Sequence, residues 1–377
     1  MKKLLLLALT ATFALSLSAC KDDDPIVCDD MYVLDGDECV YDGFEVAMIT
    51  DSGGIDDGSF NQGTWEGIME FAAANDLTYK YYKPLEVSDT AYLDAIGLAV
   101  EGNAQIIVTP GFLFESSIYA AQDLYPDVKF VLIDGTPHDP TWTTWRTEDN
   151  VMPILFDEHE AGFLAGYAAV LEGYTKLGFT GGMAVPAVVK FGVGFIAGAY
   201  YAAAMEEVTI ELGDDTYTYF GGFGADDTYK NIALSWYAGT TQIIFSAAGG
   251  AGQSVMAAAA DSDAMMIGVD IDQAGDSDTV LTSAMKQLGN AVKQALQAYV
   301  DDTFVGGETQ VKNAMNDGVA LPMDTSRFLT FSQADYDAIF ALLVDGTVDV
   351  PATYAELVLF LDDATLDIPS AVTVNGE

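Results

Sequence analysis

Beyond residue 43 the chain alternates between two kinds of apolar pattern. Short continuous apolar runs occur at Val46 to Thr50, Gln105 to Thr109, Lys129 to Asp134 and Lys176 to Thr180, and again at Thr216 to Gly221, Thr241 to Ser246 and Met265 to Asp270. Runs of this length without polar alternation predict parallel strands covered on both faces. Between them lie segments whose apolar residues recur at i, i+3, i+4 and i+7. Trp65, Ile68, Met69 and Ala72 follow this rule, as do Phe114, Ser117, Ile118 and Ala121. So do Leu164, Tyr167, Ala168 and Leu171, and Val292, Ala295, Leu296 and Tyr299. That spacing places one apolar stripe along a helix. Strand–helix alternation predicts an α/β protein with parallel sheets, and its element count exceeds what one sheet needs, so two lobes are expected.

Ligands of open parallel sheets bind beyond the carboxyl ends of the strands. Those ends are rich in Gly, Asp and aromatic residues here: Asp51-Ser52-Gly53-Gly54, Pro110-Gly111, Asp134-Gly135, Gly221-Gly222-Phe223, Ala248-Gly249-Gly250 and Asp270. Glycines let a backbone approach a ligand, and carboxylates accept hydrogen bonds from hydroxyl and N–H groups.

Composition narrows the classes of partner. Half of the 377 residues are hydrophobic, which fills real cores, and 58 Asp plus Glu against 14 Lys plus Arg give a formal net charge of −44. So negative a surface repels phosphate backbones, which excludes nucleic acid as a partner. It also excludes a peripheral grip on anionic lipid through basic patches.

The first residues read as a targeting segment. Lys2 and Lys3 precede an apolar run from Leu4 to Leu17, too short for a comfortable permanent span. Leu17-Ser18-Ala19-Cys20 resembles the lipobox of bacterial lipoproteins. The resemblance implies a signal peptide over residues 1–19 and lipidation at Cys20, which would anchor the protein to the extracytoplasmic face of a cell membrane. Residues 20–43 read as a solvated acidic tether. Cys28 and Cys39 form an even pair in an oxidising compartment and are expected to be bridged. The intervening carboxylates do not follow the spacing of an EF-hand loop.

One stretch goes beyond pattern: Ala47-Met48-Ile49-Thr50-Asp51-Ser52-Gly53-Gly54-Ile55-Asp56-Asp57-Gly58-Ser59-Phe60-Asn61-Gln62. It resembles the N-terminal signature of the basic membrane protein family, the purine-nucleoside-binding lipoproteins of ABC importers. Further matches follow in family order: Phe130 to Asp134, Glu160 to Tyr167, Gly194 to Ala199, Ile244 to Gly250, Ile267 to Gln273 and Leu281 to Lys286. The resemblance spans roughly residues 44 to 350.

It implies a type I periplasmic-binding-protein fold, two doubly wound parallel-sheet lobes joined by three crossovers around a ligand cleft. Residues 44–154 with 274–324 are expected to form the first lobe, and 155–273 with 325–377 the second. The family pattern places Asp51, Phe60, Asn61 and Asp134 on the first rim, and a Phe, Gly249, Gly250 and Asp270 on the second, with Lys286 close by. Phe245 is the expected second stacking wall, with Phe223 and Phe195 as alternatives. Phe60 would stack on a base and Asn61 suits a purine edge. Asp51 and Asp134 would accept from base N–H or ribose hydroxyls, and Asp270 from ribose with Lys286 beside it. Most also have a structural reading: Phe60 and Asn61 as helix-start residues with Ser59 as N-cap, Asp134 and Asp270 as turn caps, Lys286 as a surface charge. The implied partners are a purine nucleoside and an ABC permease with its ATPase subunits, bound by a monomer with no cofactor and no metal. A sugar or another nucleoside in the same fold, and a surface receptor without a transport role, are the alternatives.

An enzyme is not expected. Gly192-Val193-Gly194-Phe195-Ile196-Ala197 fits G-x-G-x-x-A with Glu211 downstream, the shape of a dinucleotide fingerprint, but it sits mid-chain in an exported protein. The two histidines, His138 and His159, are too few for a zinc site, and neither a G-x-S-x-G elbow nor a Walker A loop is present.

Overall fold

The computed structural model describes residues 32–35, 38–41, 43–362, 368–369 and 371. The chain divides into two compact units, Met1–Gly43 and Phe44–Glu377. In the first, β1 (Tyr32–Asp35) and β2 (Glu38–Tyr41) pair antiparallel, with Leu34 opposite Cys39. Cys20 and Cys28 lie outside the described residues, and so do the lipidation at Cys20 and the bridge from Cys28 to Cys39.

The second unit contains two parallel sheets. The chain enters the first through β3 (Val46–Ile49), α1 (Phe60–Ala74), β4 (Tyr79–Tyr82), α2 (Asp89–Glu101), β5 (Ile106–Pro110), α3 (Glu115–Leu124), β6 (Lys129–Ile133) and β7 (Val151–Phe156). It passes to the second through α4 (Glu158–Leu171), β8 (Leu177–Gly181), α5 (Pro186–Met205), β9 (Tyr217–Tyr219), α6 (Asp227–Ala238), β10 (Ile243–Ala247), α7 (Gly252–Ser262), β11 (Met265–Asp270) and β12 (Val280–Lys286). It then returns through α8 (Leu288–Val300) and β13 (Gln310–Lys312) and crosses again into β14 (Val319–Ala320), α9 (Gln333–Val344) and α10 (Tyr354–Leu361). The first sheet runs β13-β7-β6-β5-β3-β4 and the second β14-β12-β11-β10-β8-β9. All pairings are parallel except β12 with β14. The expected two-lobed α/β fold with three crossings is the one observed.

Both faces of each sheet are covered, which is why the strands read as unbroken apolar runs. Val46, Met48, Val108 and Val131 point toward α1 and α8, whereas Ala47, Ile49, Ile107 and Phe130 point toward α2 and α3. In the second lobe Ile243, Phe245 and Ala247 share a core with α4 and α5, and Ile244 faces α6 and α7.

The lobe boundaries depart from expectation. The sequence places residues 274–324 in the first lobe, yet β12 pairs in parallel with β11 in the second sheet, Gly268 opposite Ser283 and Val269 opposite Ala284. The second crossing therefore falls at Gln287, after β12, and the third between β13 and β14. The first falls after Phe156, not Ile154. A local apolar pattern reveals a strand but not which distant strand it joins.

The fingerprint-like segment is not a phosphate-binding turn. Gly192 and Gly194 lie inside α5, where a Cβ on Gly194 would sit 1.9 Å from the carbonyl oxygen of His159 in α4. Gly162 and Gly166 of α4 meet α5 in the same way, at 2.2 Å from the carbonyl oxygens of Phe191 and Phe195. These glycines let two backbones touch, so the motif serves helix packing.

Candidate functional site

The carboxyl ends of both sheets open onto one cavity of ≈ 900 Å³. Asp51, Phe60, Asn61, Asp134, Gly249, Gly250, Asp270 and Lys286 all line it, brought together from β3, α1, β6, β10, β11 and β12.

The first wall is built around the start of α1. Ser59 is the N-cap residue, but its hydroxyl does not cap the helix. It donates instead to Asp270 Oδ2 at 2.6 Å, a bond between the lobes. Asp57 does the capping, accepting from the backbone N–H groups of Ser59, Asn61 and Gln62 at 2.9, 3.0 and 3.1 Å. A second inter-lobe bond runs from Gln273 Nε2 to the Gly58 carbonyl at 2.7 Å. Asn61 is 2 % exposed, and its Nδ2 donates to Asp51 Oδ1 at 2.8 Å and to Asp57 Oδ2 at 2.9 Å while its Oδ1 accepts from Asp51 N–H. Its amide is engaged locally, so Asn61 positions Asp51 instead of presenting a free edge.

The floor is an ion cluster. Lys286, at the end of β12, pairs with Asp134 from the first lobe and with Glu158 Oε1 at 3.1 Å. Its side chain is 2 % exposed, which corrects the surface-charge alternative. The ammonium lies 5.0, 5.4 and 5.6 Å from the ring centres of Phe60, Phe156 and Phe191, within cation–π range. Lys190 extends the cluster, 3.4 Å from Glu158 Oε2. Asp134 Oδ1 is buried and accepts no hydrogen bond among the described residues, whereas Glu158 Oε2, also without a hydrogen bond, still has the Lys190 ammonium beside it. Unmet buried acceptors are costly unless a ligand supplies donors.

The electrostatics follow from burial. Desolvation pushes the Asp134 carboxyl up to about 7 against the opposing pull of Lys286, and raises Asp51 and Asp270 as well. Burial alone would pull the Lys286 ammonium down, but Asp134, Glu158 and Asp270 outweigh it and hold the lysine charged. Burial likewise opposes ionisation of Glu158, but Lys286 and Lys190 overcome it and keep its carboxyl below the usual range. Asp134 (φ 59°) and Asp270 (φ 67°) both sit in the left-handed region, at matching positions just after β6 and at the end of β11. Strained backbone of this kind gathers at functional sites.

The second aromatic wall differs from expectation. Phe245 is fully buried and packs against Phe179, Phe191 and Phe195 at centroid distances of 5.5, 5.8 and 5.3 Å. It does not line the cavity, and neither does Phe195. Alternation along β10 turns Phe245 to the core formed with α4 and α5. Phe223 lines the cavity instead, seated by glycines. Gly249 adopts φ 54°, its Cβ position lies 3.5 Å from the Phe223 ring, and Ala251 N–H donates to the Phe223 carbonyl at 2.7 Å. The Gly249-Gly250 turn therefore holds this ring in place.

Several lining residues escaped the sequence reading: Glu158, Lys190, Phe191, Trp142 and Trp145. The first three lie on α4 and α5, whose apolar or glycine-rich patterns read as packing. The tryptophans lie in the β6–β7 loop, whose composition alone was the available signal.

The site has aromatic walls, a buried lysine, and carboxylates from Asp51, Asp57, Glu115, Asp134, Glu158 and Asp270. A family model described as ABC transporter substrate-binding protein, PnrA-like (Bmp) matches residues 44–342. The chain belongs to the Bmp family. A family relative, the CD4+ T-cell-stimulating antigen of Listeria innocua, is 30% identical over 340 residues, covering 84% of this chain and 90% of that one. The ABC transporter nucleoside-binding protein BmpA of Lactococcus lactis is 29% identical over 334 residues, covering 82% and 89%. Among solved structures, an ABC transporter solute-binding protein from Aeropyrum pernix K1 superposes with a TM-score of 0.68 at 21% identity, over 84% of this chain and 97% of that one. That likeness shows the fold. Bmp membership makes the chain a substrate-binding protein of the ABC transporter class, a class of receptors and not of enzymes.

Proposed function

We propose that this Bmp-family protein captures a purine nucleoside between its lobes and delivers it to an ABC import permease, anchored outside the membrane through Cys20. The observation that carries the reading is the pairing of aromatic walls, Phe60 and Phe223, with a buried acceptor that has no donor among the described residues, Asp134 Oδ1. A flat base supplies stacking faces and N–H donors, and ribose supplies hydroxyls. Six lining carboxylates against Lys190 and Lys286 disfavour phosphate, so the unphosphorylated nucleoside is the solute and not the nucleotide. The nucleoside-binding relative in Lactococcus lactis supports the same choice.

Stripping co-purified ligand by denaturation and refolding, then recording thermal midpoints with adenosine, guanosine, inosine, uridine, AMP, ribose and galactose, tests the proposal. A ligand that binds only the native state raises the midpoint as ln(1 + [L]/Kd). Purine nucleosides should raise it and AMP should not. A rise with galactose or ribose and none with nucleosides would change the solute class.

A further inference from the structure

The β6–β7 connection carries two indoles that are large, apolar and open to solvent. Trp142 is 62% and Trp145 52% exposed, and both line the cleft. They are held firmly. His138, 3% exposed, stacks on Trp142 with centroids 3.8 Å apart and lies 4.7 Å from Trp145. Its Nδ1 sits 2.7 Å from the Asp139 carbonyl and its Nε2 3.2 Å from Glu115 Oε2. Asp139 Oδ1 accepts from the N–H groups of Thr141 and Thr143, both at 3.0 Å, and the Asp139 carbonyl accepts from Trp142 N–H at 3.0 Å. Trp142 is thereby fixed at φ 58°, a left-handed conformation that bulky residues rarely adopt. Arg146 ties the loop to α3 through Asp123 and lies over the Tyr119 ring.

We propose that Trp142 and Trp145 are specificity-determining residues of the cleft, a third aromatic wall that covers the outer edge of a two-ring base. The inference rests on the purine-nucleoside reading and deepens it. Phe60 and Phe223 come from opposite lobes and serve the faces of a base. A wall at the rim serves an edge, and a purine brings more apolar edge to it than a pyrimidine does. Strain at an exposed aromatic, stabilised by so many loop contacts, fits a surface kept in position for a ligand.

The test uses ligand-stripped protein with inosine and uridine as probes, followed by calorimetry and indole fluorescence. Of the four tryptophans, Trp65 and Trp236 do not line the cleft, so W65F/W236F protein reports the rim alone. Its emission should change on adding inosine. W142A/W145A should weaken inosine by about tenfold or more and uridine by clearly less, so that the purine preference shrinks. An unchanged inosine affinity, or equal losses for the two nucleosides, overturns the proposal alone. Absence of inosine binding by the unsubstituted protein overturns the nucleoside reading and this proposal with it.

Discussion

Replacing Lys286 with Met keeps an unbranched apolar stem and removes the ammonium with its charge and its hydrogen bonds. In the native cleft that ammonium pairs with Asp134 and Glu158, whose side chains are 10% and 3% exposed, and lies near Asp270. Without it the buried carboxylates face one another, with Lys190 the remaining cation near Glu158 among the described residues. Breaking a buried pair from one side costs about 3–5 kcal/mol, because an uncompensated charge is left behind. At roughly 2–4 °C per kcal/mol for domains near the size of each lobe, the thermal midpoint should fall by roughly 6–20 °C. The loss also has a pH signature. Asp134 already lies above its ordinary value of 3.8 in the folded protein, and losing Lys286 raises it further. A carboxyl raised on folding contributes full stability below its unfolded value and loses it as pH rises through the folded value. The deficit of K286M should therefore be smaller near about pH 5 than near about pH 8. Thermal unfolding of both proteins across that range measures it. A deficit under about 1 kcal/mol, the size of an exposed pair, or one that does not vary with pH, would refute the buried-cluster argument.

Four further substitutions separate binding from folding. Phe223→Ala should weaken nucleoside binding by about tenfold or more with little change in midpoint, whereas Phe245→Ala should cost about 3–5 kcal/mol of stability as a core truncation; calorimetry and denaturant titration distinguish them, and the reverse pattern would restore Phe245 as the wall. Gly166→Ala places a Cβ 2.2 Å from the Phe195 carbonyl, so α4 and α5 must separate, and a midpoint equal to the native one would contradict the close backbone contact. Asp270→Asn removes an anionic acceptor and loosens the Ser59 bond between lobes, and should weaken inosine more than free hypoxanthine; equal losses would end its assignment to ribose.

The sequence was most legible where physics is local. β3, β5, β6, β8, β10 and β11 fall within one or two residues of their apolar runs, because strands covered on both faces carry no competing polar signal. β4, Tyr79-Lys80-Tyr81-Tyr82, was missed because it is an edge strand with a mixed, half-exposed pattern. Strand β12 was visible in the family motif ending at Lys286, but its partner sheet was not, since pairing with β11 is a long-range choice. At the cleft, the residues just after strands or at their ends, Asp51, Asp134 and Asp270, were recoverable from position. Phe245 failed because it lies inside β10, where alternation and not proximity to the Gly pair decides which way a ring points. Glu158 follows β7 by two residues, but that strand was not among the apolar runs read as strands; Phe191 reaches the cleft from a helix and Trp142 and Trp145 from a loop, where no strand-end rule finds them.

Calorimetric titration of the ligand-stripped protein with inosine, in the presence and absence of excess galactose, tests the central claim most directly. The account predicts saturable binding at one site per chain that galactose leaves unchanged. Binding abolished by galactose, or no heat with inosine at any concentration, would contradict it.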